Sequence, residues 1–203
     1  MQAQPKTVLA ALLPSPVRVG GGRLLPVTLG GAAMLHCIKS PFVDEGEPSK
    51  LEVFTAGYIL SKPWDKIVSE HQDGVLGENA LNWSKKNKID LDDLCHAVAA
   101  VIRSGFASAA KTRFPVEKEE QIVQVVPSPF GNGLGYLMTM VETLMFNYKW
   151  TMKETLRLPL TTAFALITSR RINEGAEFDG EPSYMERDND FDGIKAYLDN
   201  MKF

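Results

Sequence analysis

The sequence predicts a mainly α protein: a compact multi-helix bundle with a short N-terminal β-hairpin and an acidic C-terminal tail ending in a small amphipathic helix. Three observations carry that prediction. From Thr28 onward, apolar residues recur at helical spacing in most segments up to Gly175. Two of these runs open on capping boxes, Ser49…Glu52 and Thr151…Glu154. One alternating stretch, PVRVGGGRLLPVTL (16–29), is centred on three glycines that supply the positive φ a tight turn needs.

Bulk properties narrow the class. A chain of 203 residues fits one domain with an appended tail, and 44% hydrophobic with 23% charged residues is ordinary for a globular protein. That much apolar material fills a core without a metal or disulfide staple. A net charge of −3 and a pI near 5.7 argue against nucleic-acid binding, which draws on a basic face. Two cysteines, Cys37 and Cys95, suit a reducing compartment. The run VLAALL (8–13) is shorter than a secretory core, so residues 1–27 read as an arm and hairpin. No stretch approaches the roughly 18 apolar residues of a membrane span, and a cytosolic protein is expected.

Each element follows in order. TLGGAAMLHCIKS (28–40) is helical, capped by Thr28 and closed by Pro41; Gly30 and Gly31 weaken it but let a neighbour approach closely. The helix opened by Ser49 is apolar nearly all round (Leu51, Val53, Phe54, Tyr58, Ile59, Leu60) and should be central. Pro63 starts a short helix with Trp64, Ile67 and Val68. Residues 71–88, polar and glycine-punctuated, are expected to be a loop with one helical turn. The cleanest helix spans 90–106, capped by Asp90 and ended by Gly105 as a left-handed residue. A charged connection (111–121) and a β-like run (122–133) precede a methionine-rich helix over about 134–148, with Leu137, Met138, Val141, Leu144 and Met145.

Next come two short helices set at an angle by Pro159. Trp150 is placed for a hydrophobic staple on the first. The second turns Leu160, Ala163, Phe164 and Ile167 inward, carries Arg170 and Arg171 near its C-terminus, and stops at Gly175. Residues 176–192 hold seven acids against Arg187 and read as a solvated linker. Phe191, Ile194, Tyr197, Leu198 and Met201 then recur at helical spacing, in a segment that docks on its own domain or engages a partner. The division is therefore 1–27, 28–175 and 176–203.

Chemistry is sparse. His36-Cys37 and Cys95-His96 are four zinc-capable groups in adjacent pairs. Zinc pairs are spaced to converge, whereas adjacent helical side chains point about 100° apart. Buried thiols beside partly exposed imidazoles are the better reading. The same four residues are the only candidates for a Cys/His enzyme, and no orienting acid or oxyanion loop accompanies them. Glu117, Glu119 and Glu120 read as a solvated face, and the acid-and-glycine stretches fail the ligand pattern of a calcium loop. No enzyme activity, cofactor, metal, nucleic acid or membrane is expected. What remains is apolar, and protein binding is the class it favours. The candidate contact residues are Met138, Val141, Met145, Trp150, Leu156, Phe164, Phe191, Tyr197 and Leu198; homo-oligomerisation stays open.

Two stretches carry a family resemblance. LLPVTLGGAAMLHCIKSPFV (24–43), followed by LEVFTAGYILSKPWDKI (51–67), resembles the start of tail-assembly proteins of tailed phages and prophages. YKWTMKETLRLPLTTAFALITSRR (148–171) is similar to the aromatic, capping-box "LPL" helix pair of phage tail assembly chaperones and neighbouring tail proteins. The resemblance implies a helical, non-enzymatic protein of the host cytoplasm that keeps a tape-measure protein soluble during tail assembly. It brings no catalytic residues. A structural tail, connector or baseplate component of the virion is the alternative it leaves.

Overall fold

A computed structural model describes residues 15–44, 46–107, 112–113, 132–173, 175 and 177–178. Among them the chain is mainly helical, and the hairpin comes first. Strands β1 (Val17–Val19) and β2 (Gly22–Leu24) pair antiparallel with Val17 opposite Leu24 and Val19 opposite Gly22. The turn is pinned: the Gly21 amide donates to the Asn87 carbonyl at 2.8 Å. Gly20 has φ +55°, and a β-carbon there would sit 2.9 Å from that same oxygen. Only glycine meets both demands.

Helix α1 (Leu29–Cys37) starts where Thr28 Oγ1 accepts from the Gly31 amide at 3.0 Å. Residues Leu29 to Leu35 are all buried, and the close approach expected at Gly30 is present. A β-carbon at Gly30 would lie 2.5 Å from the Trp64 ring and 2.9 Å from the Leu156 carbonyl. Helix α2 (Lys50–Leu60) has the reciprocal Ser49–Glu52 box, buries every residue from Val53 to Leu60, and is central as its composition requires. Helix α3 (Trp64–Gln72) buries only Ile67.

The expectation of a loop over 71–88 is corrected. Leu76–Lys86 forms an eleven-residue helix, α4. Its buried residues Leu76, Ala80, Trp83 and Ser84 fall on one face, which packs on α2, and Trp83 meets Tyr58 edge-on with ring centroids 5.9 Å apart. Four inward positions suffice because the other faces meet solvent. Helix α5 (Leu91–Ala107) is capped by Asp90, whose Oδ1 accepts from the amides of Asp92 and Asp93. Gly105 does not end it. It lies within the last turns, where a β-carbon would collide with Val27, so the glycine serves packing and not termination.

Helix α6 (Asn132–Tyr148) lies against α1, and Lys149 at φ +58° turns the chain out of it. Helix α7 (Met152–Leu156) has the predicted Thr151–Glu154 box, and α8 (Leu160–Asn173) follows the break at Pro159. Pro159 stands one residue before α8 rather than as its first residue. The starts of α1 and α8 are joined: Leu29 N–H donates to the Leu158 carbonyl and Leu160 N–H to the Val27 carbonyl, both at 2.9 Å. A bidirectional backbone clamp thus joins residues 27–29 to 158–160. The charged connection and acidic linker also hold an unforeseen pairing, β3 (Thr112–Arg113) with β4 (Glu177–Phe178). The N-terminal arm 1–14, the β-like run 122–131 and the terminal segment 191–203 lie outside the described residues.

The core is one cluster reaching from Val19 and Leu24 of the hairpin through all the longer helices to Phe164. Among the described residues no helix is long and apolar enough to cross a membrane.

Candidate functional site

Helix α6 builds an open apolar surface. Its inner stripe, Leu137, Met140, Val141 and Leu144, is spaced i, i+3, i+4, i+7 and buried. A second stripe on the same helix, Met138, Glu142, Met145 and Phe146, is spaced i, i+4, i+7 and i+8, with Lys149 just past the helix end, and apart from the two charges it too is apolar. Lys149 then reverses the chain, and the Thr151–Glu154 box fixes the start of α7, so Trp150 and Met152 return beside the second stripe. The result is an open groove of about 700 Å³.

The groove keeps large apolar groups in water. Phe146 is 71% exposed and Met152 48%. Trp150 does not form the anticipated staple; the matching position on α7 is Thr155, whose hydroxyl is bonded to the Thr151 carbonyl at 3.0 Å. The indole instead stacks on Tyr148, centroids 4.8 Å apart and planes 21° off parallel. Lys149 Nζ sits 4.7 Å from the centre of the Phe146 ring, a cation–π contact that holds both side chains at the rim. Among the described residues, Glu142 and Lys149 are the only ionisable ones in the lining. Such a lining suits apolar recognition; it has no nucleophile and base in contact.

Of the residues singled out from the sequence, Met138, Val141, Met145 and Trp150 share this groove, with Val141 at its floor. Leu156 and Phe164 do not belong on a binding surface: at 8% and 4% exposure they are core residues. Phe164 is covered by Tyr136, stacked on it at 6.3 Å. Phe191, Tyr197 and Leu198 lie outside the described residues. Phe146, Met152, Glu142 and Lys149 were missed as site residues. Their signal was the second i, i+4 stripe of a helix already recognised as apolar.

The polar constellations are elsewhere, and the Tyr58–Glu70 pair is partly buried. The Tyr58 hydroxyl donates to Glu70 Oε1 at 3.1 Å, with Lys66 Nζ 3.7 Å from the same oxygen. Burial, reinforced by Glu70, pushes the Tyr58 phenol up to about 12. Arg157 holds Asp65 at 3.0 Å, and that bond keeps the carboxyl below its ordinary range. The two thiols are not the buried pair expected: Cys37 is exposed and Cys95 half-buried. His96 Nδ1 lies 2.8 Å from the Asp92 carbonyl, one turn back on its own helix. Among the described residues no three His, Cys, Asp or Glu side chains gather as a metal shell. No family model, no curated protein and no solved structure matches this chain.

Proposed function

We propose that the protein is a non-catalytic protein-binding module whose α6 groove receives an apolar helix face of another polypeptide. The observation that carries this reading is the groove itself, where Met138, Met145, Phe146, Trp150 and Met152 line one continuous open surface. Thioethers on unbranched side chains adapt to differently shaped apolar partners, and the aromatic rings at one end supply rigid anchors. A soluble chain that leaves Phe146 largely in water gains by covering it.

The resemblance of residues 24–67 and 148–171 to tail-assembly proteins sharpens the proposal. On it, the partner is a tape-measure protein or another tail protein, and the chain acts as an assembly chaperone in the host cytoplasm. Long apolar helices held soluble before assembly are the client such a groove suits.

The test is capture of partners from producing cells, using the native chain and a Met138→Glu/Met145→Glu variant, with bound proteins identified by mass spectrometry. Both positions are only half-buried, and far-UV circular dichroism checks that the variant keeps the native helix content. A long, helix-rich tail protein captured by the native chain and lost by the variant supports the reading. Equal capture by both overturns the groove as the binding surface. Purified virions separate the finer roles: a chaperone is absent from them, whereas a structural component is present at fixed copy number.

A further inference from the structure

The groove carries one acid and one base in an order that a reversed copy of itself complements. We propose that the α6 groove pairs with the α6 groove of a second copy of this chain, docked antiparallel about a two-fold axis; this rests on the groove being the protein-binding surface.

The charges carry the argument. Glu142 and Lys149 stand seven residues apart, two helical turns or ~10 Å along α6, and so lie on one side of it. Both are exposed, and neither has an ion-pair partner among the described residues. A purely apolar helix laid in the groove would cover both charges and pair neither, and a helix of one charge sign would match one and repel the other. What fits is an apolar helix with a base and an acid two turns apart in the opposite order. Run in reverse, α6 is such a helix.

Position sets the register. Glu142 lies three residues before Met145, and Lys149 lies three residues after Phe146. A two-fold axis between Met145 and Phe146 therefore brings Glu142 of each copy opposite Lys149 of the other, so the same ion pair forms twice. Parallel packing about an axis along the helices would oppose Glu142 to Glu142 and Lys149 to Lys149, like against like.

The apolar residues fall in step with that register. Phe146, the most exposed large hydrophobic side chain among the described residues, comes to the centre, level with the Met145 thioether of the other copy. At each end, Met138 of one copy faces the Trp150 and Met152 end of the other. Lys149 Nζ already sits 4.7 Å from the centre of its own Phe146 ring, at the rim where a carboxylate of another chain meets it.

Sedimentation equilibrium of the full chain tests this. The native protein should form dimers. Glu142→Lys or Lys149→Glu alone should weaken them about a hundredfold, about tenfold for each of the two pairs turned from attraction to repulsion. The exchanged variant Glu142→Lys/Lys149→Glu should dimerise again, and the two single variants mixed in equal amounts should form a heterodimer. Recovery on mixing also shows that each single variant is folded. A native chain that stays monomeric up to about 1 mM overturns the inference and leaves the groove to another occupant. A dimer that both single variants leave intact overturns it too, as does one that neither exchange nor mixing restores.

The two readings fail separately. A monomeric native chain with capture still lost in Met138→Glu/Met145→Glu would remove the dimer and keep the function. A dimer that follows the charge exchanges, with capture unaffected by the groove variant, would keep the self-pairing and remove the function.

Discussion

Replacing Gly105 by alanine sets two effects of opposite sign against each other. Gly105 lies inside α5, where alanine favours the helix by about 1 kcal/mol over glycine. If space were free, Gly105→Ala would stabilise the protein by that amount. Space is not free, because the new β-carbon runs into Val27 Cγ1. Val27 is buried, β-branched and held by its carbonyl, which accepts from the Leu160 amide at 2.9 Å, so it has little room to yield. Overpacking of this kind costs about 1–3 kcal/mol. A collision with so rigid a neighbour belongs in the upper half of that range, leaving a net loss of about 1–2 kcal/mol and a melting temperature lower by about 2–8 °C.

The decisive comparison adds Val27→Ala. Alone, it removes two buried carbons and costs about 1.5 kcal/mol. In that background the collision disappears, the remaining neighbours of the new β-carbon are Leu160 atoms at 3.6 and 3.7 Å, and the helix preference for alanine is released. Gly105→Ala should then be neutral or stabilising, a coupling of about 2 kcal/mol or more between the two sites. Urea unfolding of the four proteins measures it. A stabilising Gly105→Ala in the native background would refute the packing argument. A loss of equal size with and without Val27 would instead restore Gly105 to the helix-stop role its sequence position suggests.

Three further outcomes follow from caps and buried groups. Thr151→Ala removes the side-chain acceptor at the start of α7 and should cost about 1 kcal/mol in urea unfolding. In the native boxes, Glu154 is lowered by its backbone bond from Thr151 and Glu52 by its bond with the Ser49 side chain, both from an ordinary 4.5. Their contribution is therefore present above pH 4.5 and lost as pH falls through the lowered folded values; Glu52→Gln/Glu154→Gln should flatten the acid limb of the stability curve. Tyr58 has the opposite sense: its phenol, raised from 10 to about 12, favours the fold below pH 10, and that contribution goes as pH rises through 12. Tyrosinate absorbance should show late titration in the native protein from Tyr58 and from Tyr136, which burial also raises, and the step near 12 should be lost in Tyr58→Phe.

Elements whose signal is local were legible in the sequence. The Ser49 and Thr151 boxes, the Gly20–Gly22 turn and the Pro159 break each depend on residues within a few positions of one another, and each is present in the structure. The elements that were not legible depend on distant partners. Helix α4 buries only Leu76, Ala80, Trp83 and Ser84, a stripe too thin to stand out among the nine charged or amide residues from Gln72 to Lys88, and it becomes definite only against α2. Gly105 read as a stop because the side chain that makes it necessary, Val27, is 78 positions away. The groove was half legible for a related reason. An apolar helix announces that it is buried, but a one-residue rotation separates Met138 from Leu137, and sequence spacing does not say which stripe meets the core. Leu156 and Phe164 were put forward as contact residues for the same lack of a reference direction, although the helical spacing already turned Phe164 inward.

Helices α1 and α6 make that ambiguity physical. Both have little polar face, and a helix apolar on all sides is stable in water only when covered on all sides. Helix α1 meets this condition within its own fold: α2, α3, α6 and α7 all contact it, and Gly30 lets the Trp64 ring reach its backbone. Helix α6 buries one stripe against α1, α7 and α8 and leaves the other lining the groove. Every Å² of apolar surface left there forgoes about 25 cal/mol. Each ~100 Å² is thus worth about 2.5 kcal/mol, a sizeable part of the margin of a marginally stable domain. Polar residues at 138 or 146 would lower that exposure, whereas Met145 also packs against the core. Their absence is intelligible if a partner covers the stripe while the protein works.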